Sequence, residues 1–202
     1  MSIYHGSDRE IKEPDFKYAN PNTDFGIGFY LTKSYEMASE WASHKNPAIV
    51  NEYELNLSGL KVCHLKLDET WLNYVAKNRG YLKTSFNDND YDVIIGPTAD
   101  NKLKFALSKY VRGECSAEEA LKQINGRNLH EQIVIKTDKA KKQLTHTGFS
   151  ILTEQEKESC LIKEKESEKA AAKFVLEFTK TISMPSFPEF INLSNYEEEF
   201  MQ

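Results

Sequence analysis

Short blocks of alternating apolar and polar residues open the chain, and they predict short strands rather than long helices. Ile3-Tyr4-His5 reads as a strand, and Asp8 to Asp24, with Pro14, Pro21 and several Asn and Asp, reads as a loop. Phe29 to Thr32 is a second strand, entered through Gly26 and Gly28, which permit tight or positive-φ backbone. Ser34 starts a helix with Ala38, Trp41, Ala42 and Lys45 on one face, and Pro47 stops it. Val50 to Leu57 and Leu60 to Leu67 alternate around Ser58-Gly59, which predicts a β-hairpin or paired strands. Asp68 caps a helix running through Trp71, Leu72 and Val75 to Asn78, with Gly80 beyond its end.

The Val-Ile-Ile run in Tyr91 to Ile95 predicts a buried strand closed by Gly96-Pro97, and a helix follows near Asn101 to Tyr110. Ser116 and Glu119 form a capping box for a helix over Ala117 to Ile124. Ile133 to Ile135 is a strand entered through the turn-rich Asn125-Gly126-Arg127-Asn128; Thr137 caps a short helix, and Phe149 to Leu152 is a last strand. The βαβ rhythm of a parallel fold is missing, so an α+β fold with antiparallel sheets is expected.

From Thr153 the pattern changes. Thr153 and Glu156 form a capping box, and a stretch rich in Glu, Lys and Ala runs to Ala172. Phe174, Val175, Phe178 and Ile182 make an apolar helical stripe, and Pro185 and Pro188 lead into an acidic, aromatic tail. The chain therefore divides into a domain over 1–152 and a helical extension and tail over 153–202. That helix either packs on the core or docks a partner.

The 202 residues suffice for one domain with a real core. A formal charge of -5 argues against a polyelectrolyte-driven nucleic-acid binder. The cluster Lys136, Lys139, Lys141 and Lys142 is read as a solvated helix face. Cys63, Cys115 and Cys160 are widely spaced, as reduced thiols would be, and neither they nor His130-Glu131 form a metal motif. No apolar run is long enough to span a bilayer, and a functional residue near position 5 leaves no room for a cleaved leader, so a cytoplasmic protein is expected.

Two motifs carry the chemistry: Tyr4-His5-Gly6-Ser7, and Gly26-Ile27-Gly28-Phe29-Tyr30-Leu31-Thr32. Together they resemble the ADP-ribosyltransferases of the diphtheria-toxin and poly-ADP-ribose-polymerase type. The chain is still more similar to an uncharacterised bacterial family related to them. That likeness adds Asp24-Phe25 before the glycines, Ile95-Gly96-Pro97-Thr98-Ala99-Asp100, and Gln132 followed by Thr137-Asp138-Lys139-Ala140, and it covers roughly residues 3 to 150.

The resemblance implies a split core of two antiparallel sheets with flanking helices, and NAD as substrate with no metal. It implies that His5 hydrogen-bonds a ribose hydroxyl, that Gly6 offers main-chain groups to the carboxamide, and that Ser7 supports the adenosine side. Tyr30 matches the stacking tyrosine, with Thr32 and Ala38 also in pattern, and Trp41 stands where a second ring would complete a nicotinamide sandwich. The plainer reading makes Ala38 and Trp41 core on one helix face. Gly28 and Asp24 are further candidates for NAD contact, Asp24 alternatively as a turn cap. Gly96 to Asp100 is explained by a strand-ending turn and a helix cap.

The third catalytic position is open between two neighbours. Aligned on the apolar Ile133-Val134 pair, Glu131 takes it; aligned on the bacterial family's Gln and Thr-Asp-Lys-Ala, Gln132 takes it, and this longer match is favoured. Alternate side chains point to opposite faces, so both cannot serve. An amide there forgoes a full charge aimed at an oxocarbenium-like transition state, at a cost of roughly 3–4 kcal/mol. Polymer synthesis is not expected. The leading expectation is a mono-ADP-ribosyltransferase acting on a protein or nucleic-acid acceptor, in a toxin or phage-defence role with residues 153–202 docking an antitoxin or chaperone. The alternatives are a weakly catalytic or inactive NAD- or ADP-ribose-binding module, an interaction protein that kept only the fold, and an NAD glycohydrolase.

Overall fold

A computed structural model of the chain describes residues 2–81, 88–99, 103–125 and 129–181. Residues 1–165 form one compact unit and residues 166–202 a second. The described elements are α+β, in the order β1 (Ser2–Ser7), β2 (Phe29–Thr32), α1 (Tyr35–Ser43), β3 (Ile49–Leu55), β4 (Val62–His64), α2 (Glu69–Asn78), β5 (Val93–Pro97), α3 (Leu103–Val111), α4 (Ala117–Asn125), β6 (Glu131–Ile135), α5 (Asp138–Lys141), β7 (Leu144–Ile151) and α6 (Glu154–Thr181).

The helices begin where side chains can satisfy their free N–H groups. Ser34 Oγ accepts from Met37 N at 3.1 Å, Asp68 Oδ1 from Trp71 N at 3.1 Å, and Thr137 Oγ1 from Ala140 N at 3.2 Å. Both capping boxes form: Glu119 accepts from Ser116 N at 2.8 Å, and Glu156 from Thr153 N at 2.7 Å. Four sequence readings lie outside the described residues: Asp100 of the helix cap, the helix start at Asn101, the turn over 126–128, and the tail over 182–202. The side chains of the apolar stripe Phe174, Val175, Phe178 and Ile182 lie outside them as well.

All seven strands belong to one open sheet in the order β4-β5-β6-β2-β1-β3-β7. The family resemblance implies two antiparallel sheets, whereas the hydrogen bonds make a single mixed sheet in which β4 runs parallel to β5. One seam within it is thin. β1 pairs with β3 through six residues but with β2 only through Tyr4 opposite Thr32.

The predicted hairpin is not formed. Ser58-Gly59 does turn the chain, with Gly59 at φ 73°, but β3 pairs with β1 and β7 while β4 joins β5 at the far edge. Alternation reports which face of a strand is buried and is silent about its neighbour. β7 also starts earlier than Phe149, because its antiparallel pairing with β3 extends back to Leu144 opposite Leu55.

The core has one cluster on each side of the sheet and a third under α1. Val134, Ile94 and Phe25 pack with Trp71, Leu72, Tyr74, Leu107 and Ile124. Ile3, Phe29, Leu31, Tyr53, Ile133 and Ile135 form the opposite cluster. Ala38, Ala42, Ala48, Val50 and Leu152 make the third. Among the described residues no helix is long and apolar enough to cross a membrane.

Candidate functional site

The site grows from the thin β1–β2 seam. His5 lies one residue past the single cross-strand pair, and its Nδ1 is 2.7 Å from the main-chain oxygen of Tyr30. Its ring sits 4.4 Å from that of Phe29. The imidazole is partly open to solvent but densely crowded by protein, and this desolvation lowers its pKa to about 4, opposed by the Tyr30 carbonyl. The ring is therefore neutral at pH 7. A carbonyl can only accept, so Nδ1 carries the proton and Nε2 is left as an acceptor, bare among the described residues.

Gly6 is required by close packing. A Cβ there would stand 2.1 Å from Ala38 O and 2.7 Å from Ala42 N, both main-chain atoms of α1. Trp41, half-buried on α1, has its own Cβ 2.9 Å from the same point. Gly28 is equally constrained, since a Cβ would meet Val134 Cγ1 at 2.5 Å and Ile135 O at 2.7 Å.

Tyr30 is anchored by its hydroxyl. It donates to Gly26 O at 2.8 Å, accepts from Phe25 N at 2.9 Å and meets Thr23 Oγ1 at 2.6 Å. Burial pushes this phenol well above the usual tyrosine range. The loop that holds it is itself fixed from outside: Tyr74 donates to Phe25 O, Lys136 reaches the same oxygen, and Asn78 donates to Asp24 O. Gly26, at φ 69°, makes that turn possible.

β6 separates its two candidates as strand alternation requires. Glu131 is exposed and paired with Lys33 at 2.6 Å. Gln132 is buried, opposite Thr32 on β2 and Gly96 on β5. Directly opposed residues share a face, so Tyr4, Thr32, Gln132 and Gly96 form one row. His5 lies with Phe29 on the other face, linked to Tyr30 through the strand's main chain.

Asp24 lies in a polar knot, with one oxygen accepting from Arg79 and the other from Ala99 N at 2.8 Å and Gln132 Nε2 at 3.2 Å. Ser7 and Thr32 are occupied locally. The Ser7 hydroxyl accepts from Asn51 Nδ2 at 2.9 Å and donates to Arg9 O, which ties the β1–β2 loop down. Thr32 Oγ1 donates to Glu131 O and accepts from Ser34 N, which sets the entry to α1.

The structure thus brings Asp24, Tyr30, Thr32 and Gln132 together on one face of the sheet, with Gly6 and Trp41 at α1. The His5 ring lies on the other face and meets Tyr30 through its main-chain oxygen. Two contributors escape the sequence reading. Arg79 stands just past α2 with its partner 55 residues away, so nothing local announces it. Asn51 is a fully buried amide in a strand of otherwise apolar inward positions, and that polar residue is the signal that marks it. The lysine cluster divides: Lys136 is partly buried beside Asp88, and desolvation pulls its pKa down, while Lys139 and Lys141 pair with Asp92 and Asp138. A shallow cleft of about 310 Å³ between Leu67, Glu69 and Leu121 shares no residue with the site.

Fold and site together define an α+β protein with an open mixed sheet and a neutral histidine at the seam between β1 and β2. The chain belongs to the family described as "protein of unknown function (DUF3990)", whose model matches residues 1–146. Neither a curated protein nor a solved structure matches it.

Proposed function

We propose that this protein binds NAD and transfers ADP-ribose to a macromolecular acceptor, as a mono-ADP-ribosyltransferase. The observation that carries the reading is His5: a desolvated, neutral imidazole with Nδ1 committed to the Tyr30 carbonyl and Nε2 left to accept. A ribose hydroxyl is the complement of such an acceptor. Gly6 lets α1 pack directly against β1 beside His5, and in this reading its main-chain groups hold the flat carboxamide. Tyr30, locked through its hydroxyl, offers a rigid ring for stacking.

In this reading the bond between nicotinamide and ribose breaks with both electrons leaving on nicotinamide. A nucleophile of the acceptor, protein or nucleic acid, then bonds to the ribose carbon and releases its proton to solvent. The chain's own task is to orient the ribose and favour its transient positive charge. Gln132 in place of a carboxylate also supports a second reading, an NAD- or ADP-ribose-binding module with little turnover.

Calorimetric titration with NAD, paired with an assay for free nicotinamide, tests both. The transferase reading predicts binding by the wild type, loss of binding in His5→Ala, and nicotinamide release when acceptor is present. Binding without release would leave the module, and a folded protein that ignores NAD overturns the proposal.

A further inference from the structure

The knot beneath Gln132 draws on four separate segments: Asp24 from the β1–β2 loop, Arg79 from the end of α2, Ala99 after β5, and Gln132 on β6. Asp24 Oδ1 accepts from Arg79 Nε at 2.9 Å and Nη2 at 2.5 Å. Its Oδ2 accepts from Ala99 N at 2.8 Å and from Gln132 Nε2 at 3.2 Å. Arg79 Nη2 also donates to Ala99 O, which closes the clamp. Both Asp24 and Arg79 side chains are only 12% exposed.

This chemistry fixes the orientation of an amide, a choice that heavy-atom positions alone leave ambiguous. The two groups facing the Gln132 amide are Asp24 Oδ2 and, at 3.5 Å, the carbonyl of Pro97. A carboxylate and a carbonyl only accept, so only the NH₂ end can face them. Gln132 Oε1 is left pointing away, and it is not among the described side-chain atoms that are sealed from solvent without a partner.

We infer that Asp24, clamped by Arg79, is a positioning residue that holds Gln132 with its carbonyl oxygen outward, so the site presents an acceptor at this strand position. The negative charge that a glutamate would carry at 132 sits one side chain behind it, at Asp24. Amide and carboxylate are a matched pair, because a carboxylate at 132 would stand about as close to Asp24 Oδ2 as the amide nitrogen does now. The orientation stands without NAD. Its use, accepting a hydrogen bond from a ribose hydroxyl, rests on the function proposed above.

Three full-length variants test it: Gln132→Glu, Asp24→Asn and the double variant. Without ligand, Gln132→Glu melts about 4 °C or more below wild type at pH 8. The loss shrinks at pH 5: mutual repulsion raises one carboxyl's folded-state pKa, so the penalty is absent at low pH and grows as pH rises. The double variant regains part of that loss, since the amide introduced at position 24 turns its oxygen to Arg79 and its NH₂ to the carboxylate introduced at 132, although Ala99 N loses its acceptor. A Gln132→Glu protein that melts like wild type at pH 8, or a double variant whose losses simply add, overturns the inference.

With NAD and acceptor, Asp24→Asn removes the carboxylate that fixes the Gln132 NH₂ inward, so its oxygen is no longer held outward, and lowers kcat about tenfold or more with little change in KM. The double variant recovers kcat. An Asp24→Asn protein with unchanged kcat overturns the role assigned to the outward oxygen. If the melting pattern appears but no protein, wild type included, binds NAD, the proposed function fails while the positioning of Gln132 stands.

Discussion

Desolvation lowers His5 to about 4 and the Tyr30 carbonyl only partly offsets it, so protonating the folded ring costs on the order of 3 kcal/mol. The folded-state pKa lies below the ordinary histidine value of 6.5. The neutral ring's contribution is therefore complete above about pH 6.5 and is lost as pH falls towards 4. Denaturant titrations between those limits should show wild type losing more stability than His5→Gln, by up to that amount. Parallel curves for the two proteins would contradict the assigned burial. Tyr30 makes a complementary case, because its hydroxyl and its ring have separate duties. Tyr30→Phe leaves Phe25 N without its acceptor, while Gly26 O keeps the Thr23 hydroxyl, and should cost about 1–3 kcal/mol. It should leave NAD affinity nearly intact, whereas Tyr30→Ala should lose both stability and affinity, as read by melting and calorimetry.

At the scale of elements, β1 and α1 are fitted to each other through the missing side chain of Gly6. Gly6→Ala drives a methyl into two main-chain atoms of a helix, neither of which can rotate away. The expected loss is about 1–3 kcal/mol, with NAD binding weakened as α1 shifts, and a melt at wild-type temperature would refute the fit. Gly6 is legible in the sequence because Tyr-His-Gly-Ser is a compact local pattern, and the caps at Ser34, Asp68, Ser116, Thr137 and Thr153 are legible for the same reason. The Val50–Leu67 segment misleads because its partners are remote: β3 finds β1 and β7, and β4 finds β5. Burial alternates along a strand in the same way whatever lies beside it.

For the molecule as a whole, the candidate site is assembled by contacts between distant segments, and sequence patterns reach only part of it. His5, Tyr30 and Gln132 stand out as positions in ordered motifs, and alternation along β6 separates buried Gln132 from exposed Glu131. The polar knot does not stand out, since Asp24, Arg79 and Gln132 come together only when the loop, α2 and β6 converge. Nor does the sheet divide into two; it stays one, thinned to Tyr4 opposite Thr32 at the seam where His5 sits. Transfer of ADP-ribose is tested most directly by incubating the purified protein with isotope-labelled NAD and a cell lysate, beside folded His5→Ala and Tyr30→Ala proteins. Label is expected on a macromolecule with wild type and on none with either variant, and protease or nuclease treatment then names the acceptor class. Intact NAD and unlabelled macromolecules with the folded wild type would contradict the transferase reading.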